Sequence, residues 1–216
     1  MALILHAHPL SSFCHKALVA LYELNLPFEL RMVDFGDQAS AEAFRALWPM
    51  ARMPVLEDTG RGAVVPESSI LIEYLHIHHP GAASLIPQDP DLALEVRARD
   101  RFFDLSVQVP MQKIVNDRIR PANAKDPHGL AEARAHLTTA LDIVERDMDG
   151  RAWAAGEVFS MADCAAAPAM FYADKVMPLA PERPNAAAYL ERLKARPSYA
   201  RTLKEAEPYM HFFPTA

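Results

Sequence analysis

The chain has 216 residues, enough for one large domain or two small ones with a real core. Its net charge of −6 argues against a nucleic-acid partner, and no apolar run reaches the roughly 18 residues a membrane-spanning helix needs. Two cysteines, Cys14 and Cys164, are too few for a disulfide framework, and the 7 glycines form neither a GxGxxG nor a GxxxxGK[ST] phosphate-binding loop.

The start lacks the basic region of a signal peptide, and the cysteine usage fits a reducing, cytoplasmic setting. "ALILH" (Ala2–His6) reads as a buried strand. Ser12 to Leu24 reads as a helix, with Phe13, Ala17, Ala20, Leu21 and Leu24 on one face. "FELRMVDF" (Phe28–Phe35) alternates and reads as a second strand. "SAEAFRALW" (Ser40–Trp48) is a short helix with a serine cap and Glu42 in its first turn. "MPVLED", a turn holding Gly60 and Gly62, and "AVV" give a hairpin. "ESSILIEYLHIHH" is a helix stopped by Pro80 and Gly81. The order β-α-β-α-β-β-α describes a small mixed sheet layered with helices.

Pro80–Asp91 is rich in proline and small residues and reads as a linker, and every periodic segment after it is helical. Leu92–Asn116 is long, with a kink expected at Pro110. Gly129–Met148, Ser160–Ala173, Ala186–Ala195 and Tyr199–Ala206 complete a helical bundle. Ser160 and Asp163 form a capping box, with Phe159 and Cys164 spaced as a hydrophobic staple. The Arg97–Arg101 and Asp100–Asp104 pairs, four residues apart, read as a solvated or dimer-facing surface. His76, His78 and His79 sit at a helix end without a cysteine or carboxylate cluster, so no metal site is expected.

Three places carry possible chemistry. Ser11-Ser12-Phe13-Cys14 opens a helix, where unpaired N–H groups and the helix dipole stabilise an anion such as a thiolate. The alternative is that a serine merely caps the helix. Met53-Pro54 enters a strand, and a proline there is either an ordinary edge residue or a cis turn. Glu67-Ser68 opens another helix, and together they match the ammonium and carboxylate of an amino-acid head group, or again a plain cap. All three lie at strand ends, where open α/β sheets bind ligands.

The order of "HPLSSFCHKALVAL", "LWPMARMPVLED", "ESSILIEYL", a linker, helices and "WAAGEVFSMADCAAAP" resembles the cytosolic glutathione transferases over nearly the whole chain. The resemblance implies an α/β thioredoxin-like glutathione-binding domain at 1–80, a linker at 81–91 and an all-α helical bundle at 92–216. It implies glutathione as co-substrate, no metal, a small hydrophobic electrophile, a cytoplasmic homodimer, and neither nucleic acid nor membrane as partner. Ser11 stands at the activating position, with Ser12 as the rival one residue on. Phe13, Arg52, Met53, Pro54, Glu67 and Ser68 are the implied glutathione contacts, Met53 pairing its backbone with the glutathione cysteine ahead of a cis Pro54. Tyr22, the first tyrosine, lies well inside its helix, which leaves a serine-type or a cysteine-type enzyme, and the serine pair at 11 and 12 resembles the zeta and theta-like bacterial groups. Met111 and Ile114 are candidates for the electrophile pocket, with core packing as the other reading. His15 and Lys16 depart from the arginine usual after the Cys14 position and are expected to solvate near the helix start. Two rival functions remain: a glutathione-dependent disulfide reductase working through Cys14, and a non-catalytic protein-binding scaffold of the same fold.

Overall fold

A computed structural model describes residues 2–81 and 83–214. Ala82 of the expected linker, and Met1, Thr215 and Ala216 at the ends of the expected domains, lie outside the described residues.

The sheet has four strands in the order β2-β1-β3-β4. Strand β1 (Leu3–Ala7) is buried throughout because it is central and covered on both faces, which is why it reads as an unbroken apolar run. It pairs in parallel with β2 (Phe28–Met32) and antiparallel with β3 (Val55–Asp58), and β3 pairs with β4 (Ala63–Pro66) in a hairpin. The edge strand β2 is mostly exposed and carries the ion pair Arg31–Glu29, charges that discourage edge-to-edge pairing. It stops at Met32, short of the expected Phe35, where the Asp34 carboxylate accepts a bond from Gly36 N–H and turns the chain. Helices α1 (Ser12–Glu23), α2 (Gln38–Leu47) and α3 (Ser68–His78) complete the βαβαββα order. Helix α2 begins two residues before the expected Ser40. Its cap is Asp37, whose carboxylate accepts from Ser40 N–H at 2.8 Å.

The remaining half is helical: α4 (Pro90–Phe102), α5 (Val109–Ile119), α6 (Pro127–Asp147), α7 (Met161–Val176), α8 (Pro184–Ala195), α9 (Pro197–Ala206), and a 3₁₀ turn at Glu207–Phe212. The expected kink at Pro110 takes a different form. A π-helical stretch, Phe103–Gln108, joins α4 to α5 ahead of the proline. Pro110 has no N–H for the Ser106 carbonyl and its ring would strike that carbonyl in an α-turn, so a widened turn accommodates it. Helix α7 is the hub, packing on α1, α4, the π stretch, α5 and α8. Its capping box forms as the spacing indicates. Ser160 N–H and hydroxyl donate to one oxygen of Asp163 at 2.9 and 3.1 Å, and Ala154 N–H and the Tyr189 hydroxyl donate to the other at 2.8 and 2.6 Å.

Helix α1 is not one-sided. Nine of its residues are buried, because it lies between α3 on one side and α7 and α9 on the other. His15 and Lys16, expected to solvate, are therefore 0% and 1% exposed. The Lys16 ammonium donates to Asp104 at 2.8 Å and to the Ser69 hydroxyl at 2.8 Å, and forms an ion pair with Asp100 at 2.6 Å. Ser69 in turn donates to Asp100 at 2.6 Å. Asp100 and Asp104, expected on a solvated surface, are thus interior groups joining α4 and the π stretch to α1 and α3. Arg97, by contrast, does sit at the surface, pairing with Glu73 of α3.

Removing the cation leaves the buried Asp100 carboxylate without a cationic partner and Asp104 with Arg101 alone. Lys16→Met is expected to cost about 3–5 kcal/mol, read as a lowered midpoint of urea unfolding. A loss below about 1 kcal/mol, the range of surface pairs, would mean the cluster is open to water in solution.

Candidate active site at the strand ends

The turn between β1 and α1 is held by its own backbone. Ser11 N–H donates to the His8 carbonyl at 3.0 Å, and Leu10 N–H donates to His8 Nδ1 at 3.1 Å. Burial lowers the pKa of His8, keeping the ring neutral and able to accept that bond, against the pull of the nearby Asp34 charge. Ser11 occupies the N-cap position with extended backbone, yet its hydroxyl makes no capping bond. The plain helix-cap reading of this serine therefore does not describe it. Ser12 is buried as the first residue of α1, and both serines line a cavity. Cys14, one turn on, is fully buried. Burial pushes its thiol up to about 11, outweighing the hydrogen bonds it shares with Ser11 and the His8 backbone.

Two cavities meet at this turn. The smaller, about 270 Å³, is lined by Phe13, Arg52, Met53, Pro54, Glu67 and Ser68, together with Arg101, Asp104, Leu105 and Val109 from the helical half. The Met53–Pro54 peptide is cis. Glu67 is the N-cap of α3 with φ +66, a left-handed backbone that costs energy in a residue with a Cβ. Its side chain makes no cap bond and is exposed, while Ser68 is buried beside it. The wall holds two carboxylates, Glu67 and Asp104, and two guanidinium groups, Arg52 and Arg101, so it presents both signs of charge at once. Sequence reading missed Arg101 and Asp104. The available signal was the Asp100–Asp104 pair itself: like charges four residues apart on a helix repel unless a cation lies between them.

The larger cavity, about 430 Å³, shares Phe13 and Met53 with the smaller and adds His8, Leu10, Ser11 and Ser12. Its far wall is Met111, Gln112, Val115, Asn116 and Ile119 of α5, then Tyr172 of α7, and Phe212, Phe213 and Pro214 at the end of the chain. Met111 lines this cavity. Ile114 does not; it is 1% exposed and packs in the core. The carboxy-terminal residues carry no periodic signal and went unread. The Arg118 guanidinium holds them in place by donating to the Pro214 carbonyl at 2.9 Å. Among the described residues no group of three or more histidine, cysteine, aspartate or glutamate side chains is placed to hold a metal ion. Of the histidine run, His79 instead bonds Asp58 at 2.6 Å.

Comparison with known proteins bears on this arrangement. Residues 5–83 match the family model "Glutathione S-transferase, N-terminal domain", and residues 127–192 match "Glutathione S-transferase, C-terminal domain"; together the two stretches cover more than half of the chain. The chain is 32% identical over 130 residues to a glutathione S-transferase-like protein of a Fusarium species, a match spanning 60% of this chain and 58% of that protein. It is 24% identical over 214 residues to a glutathione S-transferase of Nicotiana tabacum, covering 96% of this chain and all of the other. A glutathione S-transferase of Methylobacterium radiotolerans, solved in complex with glutathione sulfonate, superposes with a TM-score of 0.80 at 28% identity over 94% of each chain.

Both cysteines are buried, and burial raises both thiols. A thiol-alkylating reagent at neutral pH is expected to leave Cys14 and Cys164 unmodified in the folded protein and to label both in denaturant, as read by intact mass. Rapid labelling of the native protein at Cys14 would restore it as a reactive group.

Proposed function

The chain belongs to the glutathione S-transferase family, and from that premise we propose that Ser11 activates the thiol of bound glutathione for attack on a small apolar electrophile. The observation that carries this reading is the junction of the two cavities. One wall offers carboxylates and guanidinium groups to a ligand that itself bears an ammonium and two carboxylates. The other is mostly apolar and is lined by Ser11, two residues before the shared Phe13, its hydroxyl making no capping bond to the helix it opens.

In this reading Glu67 and Ser68 hold the γ-glutamyl head, the Met53 backbone pairs with the cysteinyl unit ahead of Pro54, Phe13 packs between the two ligands, and Arg52 neutralises the glycyl end. The Ser11 hydroxyl donates to the sulfur as it ionises. A hydrogen bond to a charged group contributes about 1.5–3 kcal/mol, one to two pKa units, enough to populate thiolate near neutral pH. The first turn of α1 adds its dipole. Conjugation, isomerisation, dehalogenation and peroxide reduction share this step. Disulfide reduction through Cys14 is disfavoured by its burial and raised thiol pKa. A non-catalytic scaffold has no use for an exposed, strained Glu67 aimed at a charged cavity.

The same reading carries a cytoplasmic homodimer and the residue ranges 1–80, 81–91 and 92–216 for the two domains and their linker. No helix of the described residues is long and apolar enough to cross a membrane. Ile70 and Ile77 on α3, Leu94 on α4 and Leu105 in the π stretch are each more than half exposed, an apolar surface suited to a second copy.

Ser11→Ala is expected to lower kcat about 10–100-fold while the glutathione Kd stays within a fewfold, and Glu67→Ala to weaken glutathione binding in calorimetric titration. If Ser12→Ala lowers kcat in place of Ser11→Ala, the activating residue is one position on. An unchanged Kd in Glu67→Ala would remove the head-group assignment. Sedimentation velocity is expected to return twice the chain mass, shifting toward the single chain in Ile70→Glu; a wild-type monomer at micromolar concentration would contradict the homodimer.

A further inference from the structure

Ser11 is reached by a side chain from the far half of the molecule. The two carbonyls that immediately precede it, those of Pro9 and Leu10, each accept a bond from a buried side chain. His15 Nε2 donates to Pro9 at 2.5 Å, and the Tyr172 hydroxyl donates to Leu10 at 2.8 Å. A carbonyl only accepts, so the His15 proton is on Nε2. Leu10 N–H and Ser11 N–H are bonded to His8, and the Ser11 carbonyl accepts from His15 N–H at 3.0 Å. Every bond in this set is local to the turn and α1 except one. Tyr172 lies on α7, 162 residues away from Leu10.

Tyr172 has a second contact set. Its ring lines the larger cavity and stacks on Phe213 at 5.5 Å between centroids. It also meets the His15 ring at 5.7 Å. One side chain thus holds the peptide before Ser11 with its hydroxyl and forms a wall of the electrophile cavity with its ring.

We infer that Tyr172 is a positioning residue for Ser11, fixing the Leu10–Ser11 peptide so that the serine hydroxyl meets the glutathione sulfur. The inference rests on the glutathione reading above. A hydrogen bond to a developing charge helps only when its donor is already in place, and a turn free to rotate about Leu10 would move the Ser11 Oγ away. Tyr172 takes no proton and touches no reacting atom; it acts through the backbone.

The test is Tyr172→Phe, which keeps the ring, the cavity wall and the Phe213 stack and deletes only the hydroxyl. Glutathione titration calorimetry, steady-state kinetics and the ultraviolet thiolate band of bound glutathione against pH are measured in wild type, Tyr172→Phe, Ser11→Ala and the double variant. The expected result has four parts: Kd for glutathione and KM for the electrophile within about twofold, kcat down about three- to tenfold, the thiolate band appearing at higher pH, and no further loss in the Ser11→Ala background. Tyr172→Leu, which also removes the ring, is expected to raise the electrophile KM as well. An equal fall of kcat with and without Ser11, or an unmoved thiolate band in Tyr172→Phe, would overturn the inference while glutathione binding stands. Failure of the wild type to bind glutathione would overturn the reading beneath it and the inference together.

Discussion

A single ammonium group joins the two halves of this protein. Lys16 sits in the middle of α1 with no access to water, hydrogen-bonded to Asp104 and Ser69 and ion-paired with Asp100. Bringing that charge inside costs far more than any one of its bonds returns, so the arrangement holds only because Asp100, Asp104 and Ser69 are all present together. Arg101 adds a second cation at the outer edge, 3.0 Å from Asp104. The charges then balance, although burial still raises the pKa of Asp100 against the pull of Lys16. Asp104 and Arg101 also form part of the smaller cavity. The cluster that ties the sheet half to the helical half is therefore continuous with the wall proposed to receive glutathione.

A second buried anion organises the other end of α7. Asp163 gathers four donors from three places: the Ser160 cap, the loop at Ala154 and Tyr189 on α8. This fixes where α7 begins. The run of small residues that follows, Ala162, Ala165, Ala166 and Ala169, is buried and allows α1 to approach closely. Because α7 is held at its start and packed along its length, Tyr172 reaches the Leu10 carbonyl from a rigid support.

The element order was legible because strand and helix periods differ and because proline and glycine mark the ends. The capping box was legible because it is local: Ser160 and Asp163 are three residues apart. What escaped was non-local. An apolar face can be read along a helix, but a helix buried on every side looks amphipathic only in part, so the polar residues of α1 were assigned to water. Lys16 and its partners Ser69 and Asp104 lie 53 and 88 positions apart, and nothing in the spacing of either segment announces the pairing. The smaller cavity drew its residues from motifs at strand ends, where a resemblance was visible. The larger draws half its wall from α5 and from Phe212–Pro214, positions that carry no motif because any apolar side chain of suitable size serves.

The π-helical stretch gives the larger cavity an unusual kind of adjustability. Phe103–Gln108 contains the extra chain that a widened turn requires, and everything beyond it on α5 is phased by that surplus. Each residue of an α-helix advances the azimuth by about 100°. A one-residue insertion or deletion that kept the widened turn would swing Met111, Gln112 and Val115 around the helix axis together, whereas a deletion that closed the stretch into regular α-helix would only absorb the surplus. The far wall of the larger cavity would change in one genetic event, while β1, the Ser11 turn and the smaller cavity's sheet-side residues kept their places. Insertion and deletion thus reshape this wall as a unit, where a substitution alters one side chain of it.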